Sequence, residues 1–399
     1  MTRAAVALAC WGVASIGAAQ TLPADPMTLA GGRVVISGDA AAGMAPADDG
    51  FFNYSDYEHS TLREIRLGVT AAVRATNQIS LLGEVRSENF GRADPFALYA
   101  RVRPFVNRRF DIQIGRIPPT FGSFPRAAYT RDNPLIGYPL AYQYLISLRP
   151  DSVPANVDEL LRMRGRGWLS SFSIGNRTPQ RGVPLVTAFN WDTGVQVSAG
   201  WHKVNVAAAV TNGSVSNPRV SDDNPGKQIA ARVSVSPMAG FMIGSSFARG
   251  QFLNRRVLQS INDAHPGRFV QRAFGADAEY SRDHWLTRVD AVLSEWQMPL
   301  DSERLTHGRL RALAASVEGR YTFLPGAYAA ARAERLTFNR VAGSTRETTW
   351  EAPVSRLEVG GGYYFQRNLI GRVSVQFNHR DGGRVTSNRL TAAQLVFWF

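Results

Sequence analysis

The sequence predicts an all-β protein, a 16-stranded antiparallel transmembrane β-barrel, and three observations predict it. The first is the last stretch, Asn388 to Phe399, where Thr391, Ala393, Leu395, Phe397 and Phe399 share one face and Gln394 lies on the other. Soluble domains usually end in polar, frayed residues. A strand that closes a membrane barrel is instead expected to set an aromatic residue in the interfacial girdle. The second observation is that apolar residues alternate with Arg, Ser, Gln, Gly or Glu from Arg33 onward, as a wall between lipid and water requires. The third is that these segments are joined alternately by tight turns and by longer polar loops.

At the N-terminus, Arg3 precedes an uncharged apolar run from Ala4 to Ile16, and Gly17-Ala18-Ala19 offers small residues for cleavage. Residues 1–19 therefore read as an export signal peptide cut after Ala19, with 20–399 as the barrel. The run is shorter than the roughly 20 residues a spanning helix needs. Ala7, three before Cys10, argues against a lipid-modified cysteine. Cleavage would remove Cys10, the only cysteine, which suits an oxidising compartment and excludes disulfides and thiolate metal sites.

Five strands fit before Pro118, at 33–44, 61–74, 77–90, 95–105 and 109–117. Eleven fit after Val186, at 188–200, 204–212, 227–236, 240–251, 269–281, 284–296, 309–323, 326–338, 354–366, 368–380 and 388–399. Both ends of the chain should lie on one side of the membrane, so the count must be even. Arg166–Gly175 is strand-like, but a seventeenth wall strand would break the up-and-down order. Pro118–Leu185 is therefore assigned to a single connection after the fifth strand, a length expected only where the connection is functional.

The formal net charge is +13, and Lys203 and Lys227 are the only lysines, so arginine carries nearly all of it. A basic chain raises nucleic acid as a partner, but no basic helix, RNA-binding signature or zinc spacing is present, and the arginines are spread along strands. Strand phase puts Arg66, Arg101, Arg103, Arg232, Arg288, Arg320 and Arg372 on the inner face. The long connection adds Arg126, Arg131, Arg162, Arg164 and Arg166 as constriction candidates. Such charges could not sit in a dry core. They could line an anion-permeable pore, or they could pin the connection to the wall. Tyr138, Tyr142, Tyr144 and Trp168 could alternatively stack on a sugar.

Catalysis is not expected, nor is a cofactor or a metal. Gly165-Arg-Gly167-Trp-Leu-Ser170 lacks the third glycine of a dinucleotide fingerprint, there is no Gly-x-Ser-x-Gly elbow, and the six histidines are dispersed. His379 alone faces outward in a late strand, with no obvious serine beside it.

Phe110-Asp-Ile-Gln-Ile-Gly-Arg-Ile-Pro-Pro-Thr-Phe-Gly122 and Arg131-Asp-Asn-Pro-Leu-Ile-Gly137 resemble the fifth strand and constriction loop of trimeric bacterial porins, including the phosphate-selective (O/P-type) group. Thr211-Asn-Gly-Ser214, Asn224-Pro-Gly-Lys227, Arg232 and the terminal Phe399 fit the same superfamily. The resemblance implies a homotrimer in the bacterial outer membrane, placed there by the barrel assembly machinery among lipid and lipopolysaccharide. It also implies that residues 118–185 fold inward to set the pore width. The implied activity is passive diffusion of small hydrophilic solutes, with the arginines giving an anion preference. A substrate-specific channel for an organic anion or oligosaccharide is the alternative, and a structural or enzymatic barrel of little conductance is a third reading. Phosphate-selective members have lysine-rich pathways, which two lysines do not provide.

Overall fold

The computed structural model describes residues 25–55, 58–105, 107–124, 128–222, 226–261, 268–300 and 308–399. The expected signal peptide and Arg126 lie outside them. Sixteen wall strands follow one another: β1 Val34–Met44, β2 Ile65–Arg74, β3 Ile79–Glu88, β4 Asp94–Val102, β5 Arg109–Ile117, β6 Asp192–Trp201, β7 Val204–Thr211 and β8 Gln228–Met238. The second half comprises β9 Phe241–Gln251, β10 Val270–Arg282, β11 Trp285–Trp296, β12 Leu310–Leu324, β13 Ala327–Phe338, β14 Val354–Gln366, β15 Leu369–Arg380 and β16 Ser387–Trp398. Each is antiparallel to the next, and β16 returns to β1 in a register running from Asp39 opposite Trp398 to Met44 opposite Ala393. The closure has a physical cause: lipid cannot hydrogen-bond a free strand edge, so a spanning sheet must pair every edge.

Period-2 alternation places the side chains. On β2, Leu67, Val69 and Val73 lie on the exposed outer face, while Arg66, next to Leu67, is only 3% exposed. On β15, Val373 and Phe377 point outward, and Arg372, Ser374, Gln376, Asn378 and Arg380 are buried on the inner side. The tight turns sit at one end of the barrel. His202 and Asp283 are the first residues of their two-residue turns, with φ of +49° and +52°, and Gly240 and Gly326 are the second residues of theirs, with φ of +77° and +83°. That backbone closes a short hairpin in the hand of strand twist.

The wall agrees with the expected strands, with differences at the edges. β6 begins at Asp192 rather than Ala188, so the long connection runs on to Trp191. The carboxylate of Asp192 accepts from the backbone N–H groups of Thr193, Gly213 and Arg219 at 2.9, 2.9 and 3.0 Å, which fixes the strand start. Trp191 packs on Phe96 instead, with ring centroids 4.9 Å apart. Within the strand-like stretch Arg166–Gly175, Ile174–Gly175 pairs only with Ser152–Val153 of the same connection. Met27–Leu29 adds a short pairing to β1, and a small hairpin, Arg340–Ala342 with Glu347–Thr349, stands between β13 and β14. Neither was expected. Among the described residues, no helix is long and apolar enough to cross a membrane.

Candidate pore lining and its long connection

The connection after β5 has few ladder hydrogen bonds of its own, so its buried backbone groups need partners elsewhere. They find them on the buried face of the wall and at Glu351, in the segment just before β14. The N–H of Gly137 donates to Glu358 at 2.9 Å, that of Leu140 to Glu334 at 2.7 Å and that of Ser147 to Glu351 at 2.8 Å. Gly165 also donates to Glu351. Arginines supply the opposite sense: Arg332 donates to Gly137 O at 2.7 Å, Arg356 to Tyr138 O at 3.2 Å, and Arg372 to Thr130 O and Arg131 O at 2.6 and 3.1 Å. Tyr328 donates its hydroxyl to Pro134 O at 2.9 Å.

A buried ion-pair network holds these side chains. Arg332, 1% exposed, meets Glu318, Glu334 and Glu358 at 3.1, 3.1 and 2.8 Å. Isolated buried charges would be costly, whereas a guanidinium satisfied on several sides is tolerated. Gly137 fits closely against this network: a Cβ there would lie 2.1 Å from Gln376 Nε2 and 2.5 Å from Glu358 Oε2. Further along, the connection joins an apolar core with Phe252, Leu258, Trp296, Leu336 and Trp350 at the long-loop end of the barrel.

The titratable groups of the connection respond to this packing. Burial pushes the Tyr142 phenol well above its ordinary range, and Asp290, which accepts its hydroxyl proton at 3.1 Å, adds to the shift. Burial likewise raises the Asp132 carboxyl, against the opposing pull of Arg131, Arg288 and Arg372. Burial would raise Asp151 too, but hydrogen bonds from Arg149 and Asn176 hold its carboxyl below the usual range.

The candidate arginines fall into three groups. Arg66, Arg232 and Arg372 are buried and engaged: Arg66 with Glu64, Glu88 and the Tyr138 hydroxyl, Arg232 with Asp277, and Arg372 with the carbonyls named above. Arg101, Arg103, Arg131, Arg288 and Arg320 are partly open. Arg101 and Arg103 share Asp111, Arg288 contacts Glu279 and Glu318, and the Arg320 guanidinium lies 5.7 Å from the Tyr328 ring centroid. Arg131, Arg288 and Arg320 line one cavity of about 410 Å3 together with Arg232 and Asp290.

Arg162, Arg164 and Arg166 do not line that cavity. Arg162 is exposed near Glu159, Arg164 is tied to Thr349 and Asp381, and Arg166 is exposed. The aromatic residues considered for sugar stacking are engaged elsewhere. Tyr138, Tyr142 and Tyr144 are buried, and Trp168 stacks on Phe51 at 3.8 Å between centroids.

Sequence reasoning overlooked Arg332, Arg356, Arg380, Glu334 and Glu358 as anchors, although strand phase alone puts them on the inner face. It also missed the serine beside His379. Ser387 stands opposite it in the β15–β16 register, with 2.9 Å between Nδ1 and Oγ. This exposed cross-strand pair is not a triad: among the described residues, no carboxylate is hydrogen-bonded to the histidine. No group of side chains suited to a metal ion occurs among the described residues.

No protein-family model and no curated sequence matches the chain. Solved structures match it by fold. The anion-selective porin from Comamonas acidovorans aligns over 92% of this chain and 99% of its own, with 7% identity and a TM-score of 0.55. The outer-membrane channel DcaP of Acinetobacter baumannii aligns over 94% and 100%, with 10% identity and a TM-score of 0.53. The trimer form of in-vitro folded OmpT, an outer-membrane protein of Vibrio cholerae, aligns over 92% and 99%, with 12% identity and a TM-score of 0.53. The fold is porin-like.

Proposed function

We propose that this chain is a passive outer-membrane pore for small hydrophilic solutes, with a preference for anions. The observation that supports the reading is a closed sixteen-strand wall whose buried charged side chains hydrogen-bond the backbone of one long connection. A wall with a greasy outside and a charged inside suits a hydrated path. In this reading the connection folds into the lumen and narrows it, and no covalent step is involved. The partly open arginines, Arg101, Arg103, Arg131, Arg288 and Arg320, raise the local anion concentration along the path. Arg66 and Arg372 serve as struts for the connection, and Arg232 is matched by Asp277. Guanidinium stays charged at any relevant pH.

Cleavage after Ala19, assembly as a homotrimer and residence in a bacterial outer membrane belong to the same proposal. They are supported by the sequence pattern and by neighbours described as outer-membrane proteins, one in a trimer form. Burial of the three loop tyrosines favours a general pore over an oligosaccharide channel, because their faces are not offered to a ligand.

Single-channel recording in planar bilayers tests the proposal. Open steps with a reversal potential on the chloride side of zero are expected across a potassium chloride gradient. A folded protein that gives no steps would overturn the pore reading. Cation selectivity would overturn the anion preference alone.

A further inference from the structure

The tight-turn end of the lumen has a charge composition unlike the other end. A cavity of about 620 Å3 is lined there by Arg101, Arg103, Arg108, Arg109 and Arg232, with Asp111 as its only carboxylate. Arg232 is matched by Asp277 behind it. Counting that partner, five arginines face two carboxylates, a surplus of three positive charges. At the opposite end a cavity of about 660 Å3 has five arginines against four carboxylates, Glu64, Glu88, Asp94 and Asp151. The surplus therefore lies at the tight-turn mouth rather than at the long connection.

Hydrogen bonding leaves donors available at that mouth. Asp111 takes Nε and Nη2 of Arg101 at 3.0 and 2.8 Å and Nε of Arg103 at 2.7 Å. Among the described residues, Nη1 of Arg101 and both terminal nitrogens of Arg103 have no other acceptor, and neither Arg108 nor Arg109 has a carboxylate within ion-pair distance. Asp111 thus holds two guanidinium groups side by side without neutralising both. Asn205, Ser198 and Ser234 line the same cavity with neutral polar groups. A sphere of that volume has a radius of roughly 5 Å, inside the Debye length of about 8 Å at physiological ionic strength, so the charges act on one ion together.

We propose that this vestibule is a binding site for small dissolved oxyanions of the carboxylate or phosphate class, and that it sets the anion preference of the pore. The inference rests on the pore reading above. Guanidinium forks match the planar and tetrahedral oxygens of such ions. An open mouth with a modest charge surplus allows release as well as capture, which permeation requires. Because the site lies at one end, its effect depends on the salt concentration facing that end.

The test uses the full mature protein in planar bilayers, with inorganic phosphate as the probe. A triple variant, Arg103→Ser/Arg108→Ser/Arg109→Ser, removes the open guanidinium groups and spares the Arg101–Asp111 and Arg232–Asp277 pairs. A control, Arg282→Ser/Arg340→Ser/Arg346→Ser, removes three exposed arginines elsewhere. The wild type is expected to lose chloride current as phosphate is added from the tight-turn side, with weaker block from the other. The triple variant should lose block about tenfold in apparent affinity and most of its chloride preference, and the control should retain both. Retention of selectivity and block by a folded triple variant would overturn the proposal, as would a wild type that conducts with chloride preference but ignores phosphate. A wild type without open steps would instead overturn the pore reading. Heat-modifiable migration on gels verifies folding, and the single Arg108→Ser variant serves if the triple variant does not assemble.

Discussion

Phe399 shows how much one side chain can settle at the seam. Its N–H donates to Gly38 O at 3.0 Å and its carbonyl accepts from Gly38 N at 3.1 Å, so it extends the β16–β1 ladder by one residue. Its ring lies where a Cβ on Gly38 would be, 2.7 Å from that position, so the glycine makes room and the aromatic ring covers the bare backbone. Phe397 lies 6.2 Å away, centroid to centroid, and continues the aromatic edge. A charge near the interface costs little by itself. Lost cover over Gly38 and the weakened seam are the larger effects of Phe399→Asp. Severalfold less folded protein is expected in outer-membrane fractions, with a much smaller loss for Gln394→Ser, whose contact with Arg372 is long at 3.4 Å. Equal recovery of the two variants would refute this role for Phe399.

At the scale of elements, strand and connection were legible to different degrees. All sixteen strands could be found because lipid on one face and polar groups on the other print a period of two into each segment. The anchors of the connection could not, because Gly137 meets Glu358 and Leu140 meets Glu334 across 221 and 194 residues of sequence. Phase could identify Arg332 as inward, but only the path of the connection decides whether a guanidinium binds a carbonyl or faces a solute. For the same reason, Arg372 became a strut while Arg320 stayed partly open. Ser387 escaped notice because its pairing with His379 depends on the register across the β15–β16 hairpin.

Gly137 is the point at which to perturb this element without cutting the wall. Gly137→Val would push against Gln376 and against Glu358, which Arg332 holds in place. Displacing the segment would leave buried partners unsatisfied at about 1–3 kcal/mol each. A barrel that still folds but conducts more, with noisier open levels, is the expected outcome in single-channel records. Unchanged conductance in a folded variant would mean that this segment does not limit the pore.

On the scale of the whole molecule, the opposing charges cancel unevenly. The chain carries 45 basic and 32 acidic side chains, yet many inner arginines are matched locally, Arg332 by three glutamates and Arg232 by Asp277. Selectivity should therefore follow the unmatched remainder and be modest, since the net field acts through water. At 0.1 M salt, where the Debye length is about 10 Å, that field spans a narrow lumen, whereas at 1 M it reaches only about 3 Å. Reversal potentials measured at a fixed salt ratio should accordingly show chloride preference in dilute solution and a loss of most of it near molar salt. A size-based filter would give the same ion ratio at both concentrations. Constant selectivity across that range would therefore show that geometry, and not the arginine field, discriminates among ions in this barrel.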